Sequence, residues 1–127
     1  MGKIKVAVLN TSEEITSVLS ELMIEHGFDT CDMFTYKFKN GEVDFGEFIQ
    51  ENKPDVILYD IALPYKENYL LFQKLSAKEI VKDIPIILTT TNKDALESIV
   101  KVTGVFEIVG KPFDLKELTE KVKKAVA

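Results

Sequence analysis

The chain is poor in the residues that bind structural metals or form disulfides. It has one cysteine, Cys31, and one histidine, His26, so it lacks both a cysteine pair and a ligand set with zinc-site spacing. A lone cysteine is typical of a reducing compartment, and we expect a cytoplasmic location. The counts of 6 glycines and 4 prolines exclude collagen-like and low-complexity chains.

Long apolar runs and an excess of basic charge are also lacking. An apolar stretch such as residues 84–88 is far shorter than the roughly 20 residues that span a bilayer, and the amino end has no signal-peptide pattern. With 16 basic and 21 acidic side chains, the net charge of −5 repels nucleic acid. We therefore expect neither membrane insertion nor direct nucleic-acid binding.

What the chain does have is the length and composition of one globular domain. Its 127 residues, 46% hydrophobic and 29% charged, predict a single domain over residues 1–127. Short apolar runs alternate with segments of helical period, which predicts five βα units. The predicted strands cover residues 3–9, 29–38, 56–59, 84–88 and 105–109.

Helical spacing of apolar residues predicts the connecting helices. Thr11 and Glu14 form a capping box at the start of the first helix, and Gly27 ends it. The predicted buried face of this helix is Ile15, Val18, Leu19, Leu22 and Met23. The later helices are predicted to bury Phe45, Phe48 and Ile49, then residues 69–75, then Leu96, Ile99 and Val100 before a stop at Gly104, and finally Leu115, Leu118 and Val122.

Five βα units with right-handed crossovers predict a doubly wound α/β fold. We expect a five-stranded parallel sheet of the flavodoxin-like (βα)5 type, with strand order 2-1-3-4-5 and a ligand site beyond the carboxyl ends of the strands. The polar residues at that edge are Asn10, Thr11, Asp60, Thr89 to Thr91 and Lys111. Asp60 is the only nucleophile or metal ligand among them, although an Asp60–Lys111 ion pair with a purely structural role is an alternative.

At these strand ends the sequence resembles the receiver domains of two-component response regulators, along its whole length. Residues 56–60 are similar to the family's third strand, which ends in the phospho-acceptor aspartate, here Asp60. Pro64 falls where the family has a proline. Residues 84–90 are similar to the fourth strand and place Thr90 at the family's switch hydroxyl.

The loop after the fifth strand extends the resemblance. Lys111, Pro112 and Phe113 match the family's lysine, proline and phenylalanine, which implies a cis bond between Lys111 and Pro112, and Gly104 also falls in place. The resemblance implies that Asp60 accepts a phosphoryl group from a histidine kinase or phosphotransfer protein. It further implies that Thr90 and Lys111 bind phosphoryl oxygens.

The implied role is signalling through protein contacts, and we expect the chain not to be an enzyme. The resemblance places the contact with a downstream effector on the fourth helix, fifth strand and fifth helix of the five βα units. It leaves open whether the chain forms a homodimer.

The sequence departs from the family where a metal would be held. The family's first strand ends in a pair of acidic residues that help to hold magnesium, and the corresponding residues here are Asn10 and Thr11. The charges of Asp60 and Lys111 sum to zero. We therefore expect Mg²⁺ binding at Asp60 to be weak or absent. Ile108 stands where the family commonly has a switch aromatic.

Two alternatives stay open at this point. The first is a pseudo-receiver that has the same fold but signals through protein contacts without phosphorylation. The second is a flavodoxin-like cofactor binder, for which Thr11, Ser12 and Thr16 offer hydroxyls after the first strand. The second is disfavoured because that loop has no glycine and because Glu13 and Glu14 repel a phosphate.

Overall fold

A computed structural model describes residues 2–111 and 114–127. Within them strands and helices alternate along the chain. The elements are β1 (Lys5–Asn10), α1 (Glu13–Glu25), β2 (Asp29–Phe34), α2 (Thr35–Lys39), α3 (Phe45–Asn52), β3 (Val56–Ile61), α4 (Tyr65–Ser76), a 3-10 helix (Glu79–Val81), β4 (Ile86–Thr90), α5 (Lys93–Ile99), β5 (Glu107–Gly110) and α6 (Leu115–Ala125).

The five strands form one parallel sheet in the order β2-β1-β3-β4-β5, as predicted. Every residue of β3 is buried. That burial explains why its sequence is a continuous apolar run without alternation, since a parallel strand covered by helices on both faces has no solvent side. The run ends in Asp60, which pairs in register with Thr89 of β4.

Two hydrophobic clusters cover the two faces of the sheet. One is built around Met23 of α1 and Leu118 and Val122 of α6. The other is larger and aromatic, and it includes Phe45, Phe48, Ile49, Tyr69, Phe72 and Leu96. Because both faces are covered, polar side chains of the strands gather at the carboxyl edge. No helix within the described residues has the length and apolar character to cross a membrane.

The second strand is shorter than predicted. It ends at Phe34, and the helix α2 begins at Thr35, where the sequence predicted strand up to residue 38. Threonine and aromatic residues favour strands, but this preference depends on packing. Here Thr35 and Phe38 are both buried when the segment is helical, and burial of this pair outweighs the strand preference.

The predicted buried face of α1 is confirmed for Met23 and in part for Leu19, but it is wrong for Ile15 and Val18. Thr16, Ser20 and Met23 face the protein interior, whereas Ile15 and Val18 are 47% and 50% exposed. The interior face tolerates hydroxyls because each has a partner; the Ser20 hydroxyl, for example, donates to Thr30 Oγ1 at 2.8 Å. Two of the five residues predicted as core, Ile15 and Val18, therefore lie at the surface.

The ends of the helices also differ in part from the prediction. Ser12, not Thr11, caps α1, since its Oγ accepts a hydrogen bond from Ile15 N at 3.2 Å. Gly27 does follow the end of α1, at φ 91°, in the left-handed region that glycine adopts readily. The helix α5 ends at Ile99, which is exposed, so Gly104 lies in the following loop and does not end it.

Candidate functional site

Asp60 and Lys111 form a buried ion pair at the carboxyl edge of the sheet. The Asp60 side chain is 6% exposed, and its Oδ1 lies 2.7 Å from Lys111 Nζ. Lys111 directly follows β5, and its backbone N–H donates to Thr90 O at 2.7 Å, which fixes the start of the loop. A carboxylate this deeply buried needs a cation or hydrogen-bond donors, and Lys111 supplies the positive charge.

A second donor to Asp60 comes from Thr89. Its hydroxyl, which is buried, donates to Asp60 Oδ1 at 2.8 Å. The sequence placed the hydroxyl of Thr90 in this cluster, and that geometry is wrong, since Thr90 Oγ1 donates to Ile61 O at 3.0 Å. Side chains alternate between the two faces of a strand, so neighbouring threonines point to opposite faces. We call Asp60, Thr89 and Lys111 the nucleophile side of the site.

The end of β1 contributes neutral groups only. The Asn10 side chain is 3% exposed, and its Oδ1 accepts a hydrogen bond from Ser12 N at 3.0 Å, so it caps its own loop. The neighbouring residue Thr11 is exposed. We call Asn10 and Thr11 the β1 side of the site. The nearest acid along the chain, Glu13, accepts a hydrogen bond from Tyr36 OH at 2.9 Å.

This set of donors does not fit a magnesium ion well. Mg²⁺ is usually held through one or two carboxylates; the described strand ends supply that of Asp60, which already pairs with Lys111, and Glu14 of α1 lines the neighbouring cleft. Among residues 2–111 and 114–127, no cluster of three or more histidine, cysteine or acidic side chains has the geometry of a metal site. Asn10 offers an amide oxygen, which is uncharged and already accepts one hydrogen bond from Ser12 N.

Two of the three hydroxyls that a cofactor phosphate would use, those of Ser12 and Thr16, are engaged locally. Ser12 Oγ accepts from Ile15 N, and Thr16 Oγ1 donates to Ser12 O at 2.7 Å. These contacts stabilise the first turn of α1, and the Thr16 hydroxyl is turned to a carbonyl and not toward an anion. The local geometry therefore agrees with the sequence in disfavouring a flavodoxin-like cofactor site.

Aromatic side chains lie on the opposite face of the sheet from the Asp60 carboxylate. Tyr59 is buried, and its hydroxyl has no hydrogen-bond partner among the described residues. Burial and, to a smaller degree, the charge of Asp60 raise the pKa of Tyr59 far above its usual value. Tyr65 OH lies 2.8 Å from Thr91 Oγ1, just beyond β4. Ile108 is half-buried in β5 and packs against this cluster.

A cleft of about 300 Å³ opens beside the nucleophile side. It runs from Asp60's neighbours, Thr89 and Lys111, to the exposed stripe of α1 that includes Ile15 and Val18. Its walls are mainly apolar, so a partner surface could bury them close to the carboxylate. Pro112 and Phe113, including the cis bond implied between Lys111 and Pro112, lie outside the described residues.

The comparison with protein families identifies the class of this fold and site. The model of the response regulator receiver domain matches residues 6–123, so the chain belongs to that family. It is a receiver domain of two-component signalling. The family resemblance and the fold inferred from the sequence are thereby confirmed.

A curated relative and solved structures agree with this assignment. The chain is 27% identical over 124 residues to the transcriptional regulatory protein RprY of Bacteroides fragilis, a match that covers 95% of this chain and 48% of that protein. The chain thus spans about half the length of this curated relative.

Two solved structures illustrate the likeness in fold. The response regulator protein TrrA of Thermotoga maritima, in complex with Mg²⁺ and BeF, is 28% identical, with a TM-score of 0.72, and the match covers 98% of this chain and 99% of that one. A CheY-like receiver domain of Methylobacillus flagellatus is 14% identical with a TM-score of 0.71, and the match covers 98% and 99% of the two chains.

Proposed function

We propose that this receiver domain accepts a phosphoryl group on Asp60 and transmits the change through protein contacts. The observation that carries the proposal is the buried Asp60 carboxylate, held by Lys111 Nζ at 2.7 Å at the carboxyl edge of the sheet. Among the described residues both polar contacts of this carboxylate fall on Oδ1. Oδ2 is thus the oxygen left to react.

In the proposed transfer, Asp60 Oδ2 attacks the phosphorus of a phosphohistidine. The new O–P bond forms while the P–N bond breaks, and the electron pair of that bond goes to the imidazole nitrogen of the donor. Lys111 stabilises the charge on the phosphoryl oxygens, as a positioned cation does in phosphoryl transfer. Thr90 donates to Ile61 O on the other face of β4, so the hydroxyl beside the reacting carboxylate is that of Thr89.

The proposed chemistry is slow and depends little on magnesium. Before transfer the charges of Asp60 and Lys111 cancel. After transfer the phosphoryl group adds negative charge, and among the described residues Lys111 is the cation that pairs with it. One strong electrostatic contact missing from a transition state costs a few kcal/mol, so we expect slow labelling. The protein acts as a switch that is modified and not as an enzyme that turns over a substrate.

The donor is proposed to be a histidine kinase or a phosphotransfer protein that docks on α1. Ile15 and Val18 expose apolar surface next to the cleft that leads to Thr89 and Lys111. A donor that covers this surface brings its histidine to the open end of the cleft. The downstream partner, or a second copy of the chain, is proposed to contact α5, β5 and α6, where Ile99 and Phe106 are 52% and 45% exposed.

The test is mass spectrometry after incubation with acetyl phosphate, in which acetate is the leaving group. We expect a gain of one phosphoryl group on the native chain and none on Asp60→Asn. Asp83→Asn serves as the matched control, since Asp83 is exposed near the opposite edge of the sheet. Equal labelling of the native chain and Asp60→Asn would place the chemistry elsewhere.

One feature favours a second function, the pseudo-receiver that signals without phosphorylation. Asn10 and Thr11 supply no negative charge, and the Asp60–Lys111 pair already satisfies itself. If the native chain gains no mass at any magnesium concentration, this second function replaces the first. Binding of its partner would then be the same for the native chain and for Asp60→Asn.

A further inference from the structure

The side chain of Thr89 forms a hydrogen bond that is not part of a strand ladder, a turn or a helix cap. Its hydroxyl donates to Asp60 Oδ1 at 2.8 Å, and the two side chains are 3% and 6% exposed. The residues are also direct partners in the register of β3 and β4. A hydrogen bond between a hydroxyl and a carboxylate, shielded from water on two paired strands, is short and directional.

We propose that Thr89 is a positioning residue for Asp60, an inference that rests on the proposed phosphoryl transfer. Lys111 Nζ approaches the same oxygen at 2.7 Å, so Oδ1 receives two donors. Two donors on one oxygen fix the rotation of the carboxylate about its Cβ–Cγ bond. The other oxygen, Oδ2, is then held in one orientation as the attacking atom.

The lysine alone is a weaker constraint than the pair. Its ammonium sits at the end of four methylene groups and is 22% exposed, so it can follow the carboxylate through a range of positions. The Thr89 hydroxyl, in contrast, is bonded directly to the Cβ of a β-branched residue in the sheet. Its position is therefore set by the backbone of β4. Thr89 therefore supplies the direction, and Lys111 supplies the charge.

Thr90 cannot replace this contact, because it lies on the other face of β4. Its hydroxyl donates to Ile61 O, and the residue is fully buried on the side of the sheet that carries the aromatic cluster. The two neighbouring threonines thus have separate contacts in the sheet. Thr89 orients Asp60 on one face, and Thr90 links β4 to β3 through Ile61 O on the other.

The test compares Thr89→Val, which removes the hydroxyl and keeps the shape, with Thr89→Ser, which keeps the hydroxyl. Thr119→Val is the matched control, because Thr119 is also buried and its hydroxyl donates to a carbonyl within α6, at Lys116. The first readout is the ¹³C chemical shift of the Asp60 carboxyl carbon. The second is the initial rate of Asp60 labelling by acetyl phosphate.

We expect Thr89→Val to shift the carboxyl resonance and to slow labelling about ten- to 100-fold, the effect of one lost hydrogen bond to a charged group. Thr89→Ser should restore both readouts toward the native values, and Thr119→Val should change neither. An unchanged carboxyl resonance in Thr89→Val overturns the inference whatever the labelling does. An unchanged labelling rate despite a shifted resonance also overturns it.

The experiment separates this inference from the proposed function. If the native chain is never labelled, phosphoryl transfer to Asp60 is refuted, and so is the role of Thr89 in that transfer. The carboxyl resonance still decides whether Thr89 holds the carboxylate, because it needs no phosphoryl donor. If labelling occurs but does not respond to Thr89→Val, the proposed function stands and the positioning role falls.

Discussion

The nucleophile side and the β1 side of the site meet at the same sheet edge, yet they are built differently. Thr89 of β4 and Lys111, just after β5, approach one carboxylate oxygen of Asp60 on β3, at 2.8 and 2.7 Å. The Asn10 side chain accepts a hydrogen bond from its own loop, at Ser12 N, and Thr11 is exposed. The comparison teaches that the charge of Asp60 is neutralised within the protein, because Lys111 supplies the positive charge that a bound cation would otherwise supply.

The largest expected effect comes from removing the cation of the nucleophile side. We expect Lys111→Met to slow labelling of Asp60 by acetyl phosphate about 100-fold or more, since a positioned charge that faces the reacting group contributes strongly to transfer. Initial rates measured by mass spectrometry check this.

The matched control for that change is Lys121→Met. Lys121 has the same 22% exposure and also pairs with a carboxylate, that of Glu107, on α6 and β5. We expect this control to label at the native rate. Native-like labelling of Lys111→Met would show that the nucleophile side does not depend on its lysine, and the contrast between the two sides would lose its electrostatic basis.

The second prediction converts the β1 side into a metal site. Replacing Asn10 and Thr11 together by aspartate adds two carboxylates next to Asp60, and we expect the affinity for Mg²⁺ to rise about tenfold or more. Calorimetric titration measures the change. The matched control is Asn40→Asp with Thr103→Asp, which makes the same two substitutions at exposed positions.

Tight magnesium binding by the unmodified chain would contradict this prediction. It would show that another carboxylate reaches Asp60. Glu13 is the first to examine, and it would have to leave its contact with Tyr36 OH. The β1 side would then be a metal site of unusual composition and not a neutral edge.

The parts of this site that the sequence predicts are those that follow from strand ends. Asp60 closes a buried apolar run and Lys111 follows the last strand, and all parallel strands of one sheet end at the same edge. Their pairing in space was therefore predictable without coordinates. That helices cover both faces of the sheet was also predictable, because the sequence of β3 is a continuous apolar run and every residue of this strand is buried.

Which threonine faces Asp60 was not predictable, because it depends on register. Thr89 pairs with Asp60 in the sheet, and a shift of one residue would bring Thr90 to that face instead. The spacing of apolar residues on α1 posed a similar problem. Periodicity identifies a stripe, but its direction is set by packing on β2, where Ser20 bonds to Thr30, and the stripe with Val18 turns outward.

The third prediction sharpens the contrast at the helix that follows the β1 side. Val18 is 50% exposed, so we expect Val18→Gln to change the free energy of unfolding by no more than about 0.5 kcal/mol. Met23→Ala, at a fully buried position on the same helix, should cost about 2 to 4 kcal/mol. Urea unfolding measures both. A large loss of unfolding free energy in Val18→Gln would show that Val18 belongs to the core.

The smallest expected effect concerns Cys31, which lies on β2 opposite Ala7 of β1 and so reports on the packing behind the β1 side. Burial raises the pKa of its thiol to about 11, from 9.0. The neutral thiol is thus favoured by folding. This contribution is complete below about pH 9 and is lost as the pH rises through about 11.

We expect Tm to fall about 1 to 3 °C more between pH 9 and 11 in the native chain than in Cys31→Ala. Because lysines and tyrosines titrate equally in both chains, the difference between the two slopes isolates the thiol. Parallel slopes would mean that Cys31 is solvated and that the edge beside β1 is looser than its contacts indicate.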